Sequence, residues 1–239
     1  MENELNYGQQ GRVIDLSGSF SVLMRNVYMW MFFGLLMTAF TSLLLMRNVG
    51  LMYSIAANPV LFWGLIIAEF VLVLILSARI HKMSFLTAGI MFAAYAILNG
   101  VNMSFIVAMY TAASVAQVFF ITAGTFGGMC LLGYVTKKDL STMGRTLYML
   151  LIGLIIATVV NIFLKSSGFA MILNYVGVII FVGLTAYDTQ KIKNMLQEAS
   201  VMGVSDQTNK LALLGSLTLY LDFINLFIYL LRIFGSRRD

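Results

Sequence analysis

Four ionisable residues stand inside otherwise apolar stretches of this chain: Glu69, Arg79, Asp188 and Asp222. A charge at the centre of a bilayer costs roughly 2.5–3.5 kcal/mol on insertion scales, so each needs a partner, a proton or a role. Asp222 is the most telling. It lies near the middle of 211–234, LALLGSLTLYLDFINLFIYLLRIF, a run long enough to cross a bilayer as a helix. At helical spacing Gly215, Thr218, Asp222, Asn225, Tyr229 and Arg232 share one stripe, while Leu, Ile and Phe fill the other sides. Such a stripe faces protein or water rather than lipid, which makes this segment the inner helix of a bundle.

Asp188 sits in Thr185-Ala186-Tyr187-Asp188-Thr189-Gln190-Lys191. If it meets Asp222, two carboxylates in a low-dielectric site cannot both ionise cheaply, and they share a proton. That would be a proton-sensitive latch. With both acids ionised they repel one another and offer the hard oxygen ligands that calcium prefers. Calcium takes six to eight such ligands, so two carboxylates alone do not complete its shell. Asn99 and Asn102 are candidate extra oxygen donors; the plainer reading is that they hydrogen-bond one helix to another. Arg79 and Asp188 both fall near the same end of their spans, at similar depth, which allows an ion pair. The plainer reading of Arg79 is an interfacial arginine that snorkels to water. Glu69 lies ten residues before Arg79, about 15 Å along the helix axis and too far for a direct pair. It falls near mid-bilayer, level with Asp222, either lining the same interior or bonded in protonated form to a neighbouring helix.

The elements that must position these groups follow from hydropathy. With 60% hydrophobic and 10% charged residues, the chain is far from the roughly 25% charged content of soluble domains. Seven spanning helices are expected, at about 27–46, 60–79, 84–109, 114–135, 146–164, 171–189 and 211–234. Arg25 and Arg47 flank the first, with Tyr28 and Trp30 as interfacial aromatics. Pro59, the single proline, suits the first turn of the second helix. The fold class is therefore an all-α integral membrane protein. Residues 1–24 form a polar N-terminal tail and 25–239 one compact seven-helix transmembrane domain, without a cleavable signal peptide. The glycines, including Gly127-Gly128, Gly177 and Gly183, are expected to let helices pack closely. The many Met and Phe residues are read as packing or lipid-facing.

Composition also excludes. One cysteine, Cys130, forbids an internal disulfide framework, and one histidine, His81, forbids a His-rich metal site. No basic stripe on a soluble face supports nucleic-acid binding. Lysine and arginine are asymmetric: ten fall in the tail and the even-numbered loops, against two in the odd-numbered loops. The positive-inside rule then places the N-terminus in the cytoplasm. Arg232, Arg237 and Arg238 conflict with this, because seven crossings put them outside. Crossing is preferred to a re-entrant last helix, since the segment is long enough.

Phe181-Val-Gly-Leu-Thr-Ala-Tyr-Asp-Thr-Gln-Lys-Ile-Lys193 resembles the signature of the Bax inhibitor-1 family, also called the transmembrane Bax inhibitor motif family. So do Leu98-Asn99-Gly100 with Ser104, Glu69 followed by Arg79 and Lys82-Met83-Ser84, and Tyr220-Leu-Asp222-Phe-Ile-Asn225-Leu-Phe227. The similarity runs from about residue 20 to the end. It implies a C-terminal helix wrapped by the other six and a pH-sensitive calcium leak. It maps the family's paired aspartates to Asp188 and Asp222 and its latching arginine to Arg79. It also implies protection from cell death for eukaryotic members and, for some bacterial ones, a membrane-bound AAA protease as partner. Neither association follows from the residues themselves. The short loops and tails point to a bacterial-type member, and so to the inner membrane.

Three functions compete at this level. The leading one is a calcium leak channel, calcium being its transported ion and no cofactor being implied. Its gate and pH sensor would be Asp188, Asp222 and Arg79, with Asp188 and Asp222 as calcium contacts. Glu69, Asn99, Asn102, Thr218 and Asn225 would line or support the pore. The alternative is a non-catalytic membrane regulator that binds a protease or other complex. The third is an intramembrane aspartyl protease, since an Asp pair on adjacent helices is sound acid–base chemistry. Against it, Tyr220-Leu221-Asp222 lacks the Gly-x-Gly-Asp pattern, and Pro59 cannot supply a Pro-Ala-Leu motif. The expected reading is therefore a non-enzyme.

Overall fold

A computed structural model describes residues 16–238 of the chain. It is a helical bundle: α1 (Leu16–Arg47), α2 (Val49–Ala57), α3 (Pro59–Arg79), a 3-10 turn (Ile80–Lys82), α4 (Phe85–Val107), α5 (Ala112–Val135), α6 (Ser141–Leu164), α7 (Ser167–Ser200) and α8 (Asp206–Phe234). All but α2 and the 3-10 turn are long and apolar enough to span a membrane, which gives the seven expected crossings.

Helix boundaries follow local chemistry. Asn58 caps α3 by accepting from the Val60 and Leu61 N–H groups, with Pro59 at the first helical position as expected. Ser84, Thr111 and Ser166 cap α4, α5 and α7 in the same way. Ser205 and Thr208 form a reciprocal capping box at the start of α8. Helix α6 ends at Lys165, in the left-handed conformation with φ 50°.

Three departures from the sequence reading are the largest, beside starts about five residues earlier for α6 and α8. Helix α1 begins at Leu16, so residues from 16 onward that were assigned to the polar tail are helical, and Leu23 and Met24 are buried. The rest of the tail, residues 1–15, lies outside the described residues. Helix α7 runs eleven residues past 189, because Ile192, Leu196 and Ala199 continue its apolar face into the core. Helix α2, which the sequence reading lacked, is capped by Asn48 and buries none of its residues.

Helix α8 is the centre of the bundle. Two thirds of its most apolar window is buried, against 6% for α3 and 11% for α6. Its broad contacts are with α1, α4, α5 and α7, while α3 docks on α4 and α6 on α7 as an outer layer. Close approach depends on particular glycines. A Cβ on Gly133 would lie 2.2 Å from the Ala186 carbonyl oxygen, so α5 and α7 meet backbone to side there. Gly177 lies under the Tyr229 ring and Gly183 against Leu147, as expected of both. Gly127 and Gly128 depart from the expectation: an added Cβ would meet nothing within 4 Å at either.

The C-terminal segment resolves the conflict raised by its arginines. Ser236 accepts from the Thr111 N–H at 2.9 Å, the Arg238 N–H donates to Met109 at 2.9 Å, and Tyr110 and Arg237 form an antiparallel bridge. The segment after α8 is thus tied to the α4–α5 loop. Helix α8 crosses fully, and the α3–α4, α5–α6 and α7–α8 loops lie on the opposite, lysine-rich face.

Candidate functional site

Asp188 and Asp222 project from α7 and α8 into the bundle and are only 1% and 4% exposed. They are close enough for the charge on Asp188 to act on Asp222. The Tyr148 hydroxyl, from α6, lies 3.1 Å from each oxygen of Asp188 and donates to that carboxylate. Asp222 is less well served. Among the described residues its Oδ2 has no hydrogen-bond partner. The Cys130 thiol of α5 lies beside the Thr189 hydroxyl and within electrostatic reach of Asp222.

A cleft of about 100 Å³ opens beside Asp188, lined by Tyr148, Lys191, Met195, Leu214, Gly215 and Thr218 among others. It has room for water or an ion rather than for a peptide strand. Thr218, a predicted pore residue, lies in its wall and bonds the Leu214 carbonyl of its own helix. Asn225 is half-buried and also bonds its own helix, at Leu221.

Glu69, Asn99 and Asn102 are brought together, but elsewhere. Both amide side chains donate to the Glu69 carboxylate, tying α3 to α4. The buried Tyr95 hydroxyl stands beside it. Tyr95 packs on Tyr220, whose hydroxyl shares a 2.6 Å hydrogen bond with Thr38 on α1. Tyr220 and Asp222 are two residues apart, about 200° around the helix, so they look to opposite sides of α8. Glu69 therefore does not line the same interior as Asp222. The two asparagines serve Glu69 rather than a ligand shell around the aspartates, which corrects that expectation in favour of helix–helix bonding.

The Arg79–Asp188 ion pair is not formed. Arg79 is exposed at the end of α3, and that helix packs on α4 in the outer layer rather than on α7. Matched depth was insufficient, because the two residues lie on different sides of the bundle. A different cation is buried on this face. Lys210, 7% exposed, donates to the Met83 carbonyl at 3.1 Å and lies 3.5 Å from Asp206. It ties the start of α8 to the α3–α4 turn, beside an Asn26–Asn209 hydrogen bond between α1 and α8. The sequence reading missed Tyr148 and Lys210. Tyr148 occurs in an apolar run where an aromatic is ordinary, and Lys210 reads as one more loop lysine.

Among the described residues no group of three or more His, Cys, Asp or Glu side chains could hold a metal.

Residues 21–239 match the family model described as inhibitor of apoptosis-promoting Bax1. The chain is 50% identical to the inner membrane protein YbhL of Escherichia coli over 90% of its length and 92% of that protein's. It is 43% identical to an uncharacterized protein of Borreliella burgdorferi, covering 89% and 91%. It is 36% identical to an uncharacterized membrane protein of Streptococcus pyogenes, covering 87% and 90%.

Proposed function

The chain belongs to the Bax inhibitor-1 family, and from that premise we propose that this multi-pass membrane protein is a calcium leak whose gate is the Asp188–Asp222 pair. The observation that carries the reading is the unpaired Oδ2 of Asp222, buried next to a second carboxylate at the centre of the bundle. An unsatisfied buried acceptor costs roughly 1–3 kcal/mol. A proton shared by the pair, or a cation between them, would relieve it.

The closed state is the one described above. The Tyr148 hydroxyl donates to Asp188, and Asp222 is buried. Loss of the shared proton sets two negative charges against each other in a low-dielectric site. The repulsion loosens α7 from α8, and the cleft lined by Thr218 becomes the entry for a cation. Arg79 is outside this gate. With nine lysines and arginines on its side among the described residues, the face carrying the α5–α6 loop would be cytoplasmic, and the membrane a bacterial inner membrane.

The test is calcium flux into liposomes holding the purified protein, between about pH 6 and 8, with Asp188→Asn and Asp222→Asn alongside. The reading requires a pH-dependent flux that both substitutions alter. Flux with unchanged pH dependence in Asp222→Asn would overturn the gate. No flux from folded protein would favour the non-catalytic membrane regulator, with the aspartates as structural groups.

A further inference from the structure

Helices α1 and α5 do not close on each other. Each rests on α7 and α8, and a groove of about 470 Å³ remains between them. Its floor and walls are Met24, Gly127, Cys130 and Leu131, and its mouth carries Arg25, Tyr28 and Tyr134. The glycine matters. A Cβ on Gly127 would meet nothing within 4 Å, as at the neighbouring Gly124 and Gly128. That gap is unfilled by protein and lies in the bilayer zone of α5.

The mouth is cationic. Arg25 is exposed and makes no ion pair among the described residues. Lys193 of α7 adds a second charge, with its ammonium 2.8 Å from the Tyr134 carbonyl oxygen and 5.2 Å from that ring's centroid. Two tyrosines accompany these cations at the level where amphipathic rings meet headgroups. From Tyr134 to Gly127 the helix descends seven residues, about 10 Å into the hydrocarbon zone. Charge and hydroxyls at the mouth over an apolar trough match one ligand class, a phospholipid with an anionic headgroup.

We infer that the α1–α5 groove is a binding site for an anionic phospholipid, its phosphate held by Arg25 and its acyl chain laid along Gly127 and Leu131. Arginine suits the role, since its planar fork binds phosphate oxygens in pairs. Basic pockets between spanning helices are known to take such headgroups. A free phosphate would leave the trough empty, and a zwitterionic lipid would bring a choline to face Arg25. The site is independent of whether the protein conducts calcium. Its floor includes Cys130, whose thiol lies beside the Thr189 hydroxyl on α7, next in sequence to Asp188.

The test is native mass spectrometry of the full chain released from bilayers of equal phosphatidylglycerol and phosphatidylcholine. Wild-type protein is expected to retain phosphatidylglycerol roughly tenfold over phosphatidylcholine, since both lipids carry a phosphate but only phosphatidylglycerol keeps a net negative charge beside Arg25 and Lys193. Arg25→Ala should abolish the preference. Gly127→Leu, which fills the trough and keeps every charge, should lower retention of both lipids. Arg145→Ala, an exposed arginine elsewhere on the same face, should behave as wild type. Helical circular dichroism and a monodisperse elution profile check that each variant is folded. Tyr134→Phe, which keeps the ring, is a milder second probe and should weaken retention. Equal retention of the two lipids by wild type, a preference that survives in Arg25→Ala, or undiminished retention in Gly127→Leu, would mean annular lipid only and would overturn the site.

Discussion

Replacing Tyr148 by Phe removes one oxygen atom and tests the geometry around Asp188. The hydroxyl lies 3.1 Å from both carboxylate oxygens, and no other hydrogen-bond donor serves that carboxylate among the described residues. The ring stays, with its edge-to-face contact on Tyr187 at 6.1 Å, so packing is conserved. A hydrogen bond to a charged group contributes about 1.5–3 kcal/mol, and one between neutral groups about 0.5–1.5 kcal/mol. Tyr148→Phe should therefore destabilise the protein by the larger amount where Asp188 is ionised and by the smaller where it is protonated. The assay is unfolding of purified protein in mixed micelles titrated with sodium dodecyl sulfate, followed by circular dichroism. Asp188→Leu and the double variant complete a cycle, and a coupling energy above about 0.5 kcal/mol is expected for residues in contact. Repeating the cycle in acid and in base separates the two protonation states. A Tyr148→Phe variant within about 0.5 kcal/mol of wild type, strictly additive with Asp188→Leu, would refute the pairing.

Further outcomes follow from the packing and the loops. Gly133→Ala forces a Cβ to within 2.2 Å of a backbone oxygen and should cost at least about 1–3 kcal/mol in the same unfolding assay. Gly127→Ala, with open space around it, should stay within about 0.5 kcal/mol of wild type. Tyr220→Phe removes the 2.6 Å bond to Thr38, which keeps its own bond to the Ala96 carbonyl. A loss of about 0.5–1.5 kcal/mol is expected. In the α5–α6 loop, the Ser141 hydroxyl and N–H hold the Asp139 carboxyl below its ordinary value of 3.8. A depressed folded-state pKa contributes stability above that ordinary value, lost as pH falls through the lower folded one. Wild type and Asp139→Asn should therefore differ near neutrality and converge in strong acid, as acid titration of unfolding would register.

The number of crossings was legible in the chain because span length is a local quantity. A run of apolar residues either reaches across the hydrocarbon or does not, whatever its neighbours. The inner position of α8 was legible for a related reason: Gly215, Thr218, Asp222 and Asn225 on one face are costly against lipid. The aspartate pair could be named on the same ground. Partnership between helices was not legible. Arg79 and Asp188 share a depth, yet depth is one coordinate of three, and only packing places α3 on α4, away from α7. Asn99 and Asn102 look like ligands beside any carboxylate; the docking of α3 decided that theirs is Glu69. Tyr148 meets Asp188 across forty residues of sequence, and no periodicity within either helix encodes that meeting. Gly127 and Gly133 read alike in the chain, yet one lines a groove and the other a backbone contact. What the sequence by itself determined is which segments enter the membrane and which faces of them avoid lipid. Which faces then meet was decided by tertiary packing, because close packing selects among shapes and not among compositions.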